Sequence, residues 1–142
     1  MTLENPENEP EGHYINANHI SNPNTGARNY FIATQGPIPK TVDTFWKMVW
    51  QEDISTIVML CGSNEGGKIR CETYWPEEVQ GAPANLETKG FLLTLEKVDK
   101  SNPFYWIRTM NLKVARQGYQ SRIGLPKRVE QYDSFTPWDG QT

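Results

Sequence analysis

The chain has 142 residues, a formal net charge of −3 and 37% hydrophobic residues, enough to bury the core of one domain without disulfides or metal. Sixteen aromatic residues against 22% charged ones exclude a disordered polymer, which lacks the apolar surface to offset its ordering entropy. The longest unbroken apolar run, Ile57 to Cys61, is far short of the ~20 residues a membrane helix needs, and Met1-Thr2-Leu3-Glu4 has neither basic flank nor apolar segment, so the expectation is a soluble chain without a secretory signal.

Met1 to Gly12 carries Glu4, Glu7, Glu9 and Glu11 among prolines and asparagines and reads as a flexible acidic arm, residues 1–12, ahead of a domain over residues 13–142. A short extended piece follows. Beyond Pro39, the residues Val42, Phe45, Trp46, Val49 and Trp50 fall at i, i+3, i+4, i+7 and i+8, which places all five on one stripe of a helix. Ser55 to Leu60 is short, branched and apolar, the pattern of a strand buried on both faces. Gly62 to Gly67 is a turn, Lys68 to Trp75 reads as a strand closed by Pro76, and Gln80 to Asn85 as a loop. Phe91, Leu93 and Leu95 alternate with Leu92, Thr94 and Glu96; Trp106, Arg108, Met110 and Leu112 alternate with Tyr105, Ile107, Thr109 and Asn111. These are two strands of a hairpin turning through Asp99 to Pro103, and Val129 to Phe135 is a last strand. The order of elements predicts an α+β fold with a mixed sheet.

Charge is uneven along the chain. All seven charged residues from Lys100 to Arg128 are positive (Lys100, Arg108, Lys113, Arg116, Arg122, Lys127, Arg128), which predicts either a local positive potential or a solvated sheet edge. Nucleic-acid binding is not expected, because the overall balance is acidic and no recognition motif is present.

Candidate chemistry is mostly excluded by context. Gly62 to Lys68 fits G-x-x-x-x-G-K, but Ile69 stands where a phosphate-binding loop needs Ser or Thr for magnesium, and the next residues read as strand rather than helix. Cys61 and Cys71 read as small buried hydrophobes; six residues beyond them stand Gly67 and Glu77, so neither opens a Cys-x5-Arg loop. Two cysteines in this pattern suit a reducing compartment. His13 and His19 read as surface or strand-edge residues, and no G-x-S-x-G turn exists to build a serine triad. Glu72, Glu77 and Glu78 around Tyr74-Trp75-Pro76 read as solvated acids rather than a paired-carboxylate site. No metal site and no cofactor are predicted.

Several segments together resemble the classical cysteine-dependent protein tyrosine phosphatase domain. Tyr14-Ile-Asn-Ala-Asn18 is similar to that family's D-Y-I-N-A-S, Tyr30-Phe-Ile-Ala-Thr-Gln-Gly-Pro37 to its Y-I-A-T-Q-G-P, and Phe45-Trp-Lys-Met-Val-Trp50 to its F-W-x-M-V-W helix. Ile57 to Leu60 resembles its central strand, and Glu65-Gly-Gly-Lys-Ile-Arg-Cys-Glu-Thr-Tyr-Trp-Pro76 its E-x-G-x-x-K-C-x-x-Y-W-P stretch. The resemblance runs from Tyr14 to Asp139. It implies part of the tyrosine-phosphatase fold, a mixed twisted sheet flanked by helices and incomplete, and phosphotyrosine-containing proteins or peptides as partners.

By the same resemblance, Glu65 aligns with the acid that orients the catalytic arginine, Arg70 stands where a lysine contacts the general-acid loop, and Asp139 falls in the register of the general acid. Here, however, Thr136-Pro137-Trp138-Asp139 exchanges the Trp and Pro of the family's W-P-D, which moves the proline's fixed φ within the hinge of that loop. The family's H-C-x5-R nucleophile loop has no counterpart in these residues. The resemblance therefore implies a partial phosphatase domain, inactive alone, whose parent hydrolyses phosphotyrosine; the alternative is a pseudophosphatase or scaffold without catalysis. A cytoplasmic location and self-association through exposed sheet are further expectations.

Overall fold

A computed structural model describes residues 1–3, 14–78, 84–115 and 126–134. Three sheets and one α-helix make up the regular structure among them. Strands β1 (Ala17–Ile20) and β2 (Phe31–Thr34) form an antiparallel pair with Ala17 opposite Thr34 and Ile20 opposite Phe31. A single 3-10 turn, Pro39–Thr41, leads into helix α1, Val42–Gln51. The 38–41 corner is held by Thr41 Oγ1, which accepts from the Ile38 amide at 3.0 Å.

The helix buries Phe45, Trp46, Met48 and Val49, while Val42 and Trp50 lie half-buried at the two ends of the stripe. Its C-terminus closes as a Schellman motif: the Ile54 amide donates to the Val49 carbonyl at 3.0 Å and the Asp53 amide to the Trp50 carbonyl at 3.3 Å. Asp53 takes the left-handed conformation there, φ 56°, where glycine is usual.

The main sheet has the order β3-β9-β8-β7-β6, built from β3 (Thr56–Met59), β6 (Asn85–Glu87), β7 (Phe91–Asp99), β8 (Tyr105–Val114) and β9 (Lys127–Ser134). β3 runs parallel to β9 and the other pairs are antiparallel, so the sheet is mixed as expected. Against α1 it sets Phe91, Leu93 and Leu95 of β7, Met110 and Leu112 of β8 and Val129 of β9, all buried. A bulge between Leu95 and Lys97 ends the simple alternation of β7. The hairpin, the helix and the last strand stand where the sequence places them.

Five expectations change. β3 is not buried on both faces: Met59 is covered, but Val58 is 62% exposed, and Leu60 just beyond is 82% exposed. It is an edge strand in this sheet, and an apolar run reads the same at an edge as at a centre until its neighbours are known. The Lys68–Trp75 strand shortens to β5 (Lys68–Ile69), paired with β4 (Asn64–Glu65). Asn85 opens a strand instead of closing a loop. The start of the acidic arm is docked: Leu3 is buried, Thr2 bridges to Tyr14, and the Met1 ammonium donates to the carbonyls of Ile15 (3.0 Å) and Ala17 (3.2 Å). The remaining arm residues, with Glu4, Glu7, Glu9, Glu11 and His13, lie outside the described residues.

The fifth change concerns the positive stretch. Arg108 pairs with Asp133, Lys127 with Asp53 and Arg128 with Glu130, while Lys100 sits 4.4 Å over the Trp106 ring. Acids from outside the stretch thus offset Arg108, Lys127 and Arg128, Lys113 is exposed, and Arg116 and Arg122 lie outside the described residues.

Candidate functional site

The candidate site grows from the β4–β5 hairpin. Its turn residues Gly66 and Gly67 have φ 59° and 77°, the paired left-handed geometry that a two-residue hairpin needs and glycine supplies at least cost. Glu65 pairs through its backbone with Lys68, and the Arg70 amide donates to the Ser63 carbonyl at 3.0 Å. The hairpin thus brings Glu65 and Arg70 onto one small element, with the Arg70 side chain exposed to solvent. Lys68 enters a strand and no helix follows, so the glycines shape a hairpin and not a phosphate-binding loop. Asp139 lies outside the described residues.

Behind the hairpin the chain turns inward. Cys71 is buried, its Sγ donating to the Glu72 carbonyl at 3.4 Å, and the Glu72 amide donates to the Pro37 carbonyl at 2.7 Å. Burial, followed by the neighbouring Cys61, pushes the Cys71 thiol up to about 11. Cys61 itself is only half-buried. Tyr74 and Trp75 make no ladder bonds; the segment is anchored by the Trp46 indole, which donates to the Tyr74 carbonyl at 2.7 Å. Around that bond the rings of Phe45, Trp46, Tyr74 and Trp75 stack edge-on or tilted at 4.7 to 6.0 Å. Burial raises the Tyr74 hydroxyl well above the ordinary phenol range.

Beneath Trp75 lies a polar cluster. The Arg108 guanidinium stacks 4.9 Å from the Trp75 ring and pairs with Asp133, whose other oxygen accepts from Gln131 Nε2 at 2.7 Å. Burial pulls the Arg108 pKa down, while Glu77, Tyr74 and Glu78 pull it back up. Gln131 is fully buried, and its Oε1 has no hydrogen-bond partner among the described residues. Arg108, Gln131 and Asp133 tie β8 to β9, the strand that runs toward Asp139. Sequence reasoning missed this cluster, although a signal existed: Arg108 alternates in register with Met110 and Leu112, and a cation on an apolar strand face needs a buried partner.

A cleft of about 670 Å³ opens between β2, α1 and the free edge of β3, walled by Phe31, Phe45, Met48, Ile57, Val58 and Cys61 among others. At its rim His19 on β1 lies 3.4 Å from Glu52, a strand-edge position as expected. Among the described residues no three His, Cys, Asp or Glu side chains gather to hold a metal ion, and no helix is long and apolar enough to cross a membrane.

The family model for protein-tyrosine phosphatase matches residues 2–142. The chain is 40% identical over 139 residues to the tyrosine-protein phosphatase Lar-like of Caenorhabditis elegans, covering 97% of this chain and 6% of that protein. It is 38% identical over 144 residues to human tyrosine-protein phosphatase non-receptor type 7, covering 100% of this chain and 35% of that one. Its structure resembles the catalytic domain of human protein tyrosine phosphatase non-receptor type 18, with a TM-score of 0.77 and 32% identity over 94% of this chain and 43% of that one. The type 18 enzyme has also been solved in complex with HER2 phosphopeptides, with the same TM-score to this chain. The chain thus spans about a third or less of these two relatives and under half of the solved domain. A match over nearly every residue, joined to a mixed α+β sheet of the same shape, establishes that the chain belongs to the protein-tyrosine phosphatase family.

Proposed function

We propose that these residues form the framework half of a phosphatase domain whose complete form hydrolyses phosphotyrosine in proteins through a phosphocysteine intermediate. In that reaction a sulfur attacks phosphorus and the phenol oxygen leaves, taking its proton from Asp139; Glu65 orients the phosphate-binding arginine and Arg70 supports the acid loop. The phosphopeptide complexes of the type 18 enzyme support this substrate class.

The chain by itself does not turn over. The observation that carries this is the state of its sulfurs: Cys71 is buried, with a thiol pushed up to about 11, and neither cysteine is followed six residues on by an arginine. A nucleophilic thiolate needs the opposite environment, a lowered pKa beside cations or a helix N-terminus. The test is incubation with a phosphotyrosine peptide and, separately, with vanadate. No phosphate release and no adduct on Cys61 or Cys71 is expected; turnover above a denatured control overturns the inactivity.

A second reading, a non-catalytic interaction module, is favoured by the open edge of β3 beside an apolar cleft, where strand addition or self-association would be accommodated. The coding sequence beyond Thr142 separates the two: an H-C-x5-R segment supports the enzyme and its absence the module. Under either reading the proposed location is cytoplasmic, which two free thiols support.

A further inference from the structure

The two cysteines lie ten positions apart in sequence, yet the fold sets both on the wall of one cleft. Because the Arg70 amide and, at 3.5 Å, the Cys71 amide both address the Ser63 carbonyl, the segment entering the β4–β5 hairpin runs alongside the segment leaving it. Cys61 and Cys71 both line the apolar cleft, and Cys61 is the neighbouring group that, after burial, pushes the Cys71 thiol up. Their settings differ. Cys61 is half-buried at the open wall, whereas Cys71 is backed by Gly36, where an added Cβ would stand 2.9 Å from its sulfur.

The geometry points to a reversible disulfide between Cys61 and Cys71, formed by a peroxide oxidant, that closes the base of the hairpin carrying Glu65 and Arg70. Cys61, the accessible sulfur, attacks one peroxide oxygen as its thiolate; the O–O bond breaks, and water and the Cys61 sulfenic acid result. The Cys71 sulfur then attacks the sulfenic sulfur, the S–O bond breaks, and the departing oxygen leaves as a second water with the Cys71 proton. Two electrons pass from the sulfur pair to one hydrogen peroxide. An S–S bond of about 2.05 Å requires the sulfurs to approach further, and the side chain with room to rotate is Cys61, which faces the cleft. The raised thiol of Cys71 slows the second step, which quickens as pH rises toward about 11.

The experiment treats the 142-residue chain with hydrogen peroxide and follows free thiols, intact mass and a non-reducing peptide map. Expected are loss of both thiols, a mass lower by two hydrogens, a 61–71 cross-linked peptide and full recovery with dithiothreitol. Cys61→Ser should keep its Cys71 thiol under the same treatment, and Cys71→Ala should accumulate a Cys61 sulfenic acid that dimedone traps; either variant suffices if the other does not fold. Overoxidation of Cys61 while Cys71 stays free in the parent chain, or cross-linked dimers as the main product, overturns the proposal.

Discussion

Lys127 Nζ lies 2.5 Å from Asp53 Oδ1 and 3.5 Å from the Val49 carbonyl, placing a cation from β9 on the C-terminal end of α1. Two effects meet there, the ion pair and the partial negative charge of the helix end, at a Val49 carbonyl that also accepts from the Ile54 amide. The pair joins the helix to the strand that borders β3. Because Asp53 is 80% exposed, screening keeps the ion pair itself small. Lys127→Met should lower stability by roughly 0.5–1 kcal/mol, read as a urea midpoint, and the loss should shrink at high salt.

Gly36 and Cys71 touch more closely than any side chain at position 36 would allow. An added Cβ would meet Cys71 Sγ at 2.9 Å and Cys71 Cβ at 3.0 Å. Gly36→Ala should therefore cost on the order of 1–3 kcal/mol, as overpacking does in a filled core. Adding Cys71→Ala should recover part of that loss, a positive coupling in a double-mutant cycle. Purely additive losses would show that the two positions do not meet.

Arg108 and Asp133 are 14% and 12% exposed at their side chains, so neither can be removed alone without stranding the other. Asp133→Ala should destabilise by about 3 kcal/mol, whereas the double change Arg108→Met with Asp133→Leu should cost less than the sum of the two single changes. Thermal melts of the four proteins decide it.

The buried Cys71 thiol gives stability a dependence on alkaline pH. Its pKa rises from 9.0 to about 11 on folding, so the native chain holds a proton that the unfolded chain releases. Its contribution is complete below about pH 9 and disappears as pH climbs through about 11. Replacing Cys71 by Ala should flatten that decline in denaturation curves taken across the window. Alkylation at neutral pH should label Cys61 well before Cys71.

At the edge of β3, Val58 is 62% exposed, and among the described residues no strand lies beside it on that side. Val58→Lys should reduce concentration-dependent association in sedimentation experiments, because a charged side chain discourages edge-to-edge pairing. An unchanged association constant would place any self-contact elsewhere.

Local periodicity in the sequence determined the α1 stripe from Val42 to Trp50, the alternation of β7 and β8 and the existence of β9, since a side chain's face follows from its spacing once the element forms. The glycines of the β4–β5 turn and the family motifs from Tyr14 to Pro76 were equally legible, as was the placing of Glu65 and Arg70 on one short segment. What the chain order could not express was who stands beside whom. Lys127 meets Asp53 across 74 positions, Arg108 finds Asp133 beneath Trp75, and β3 takes an edge place although its residues read as a centre. Each of these depends on sheet order and on the docking of α1, contacts between distant segments whose energies no local pattern encodes. Tertiary structure alone therefore decided that three cations of the positive stretch are paired with acids, that Leu3 is buried, and that two cysteines line one cleft.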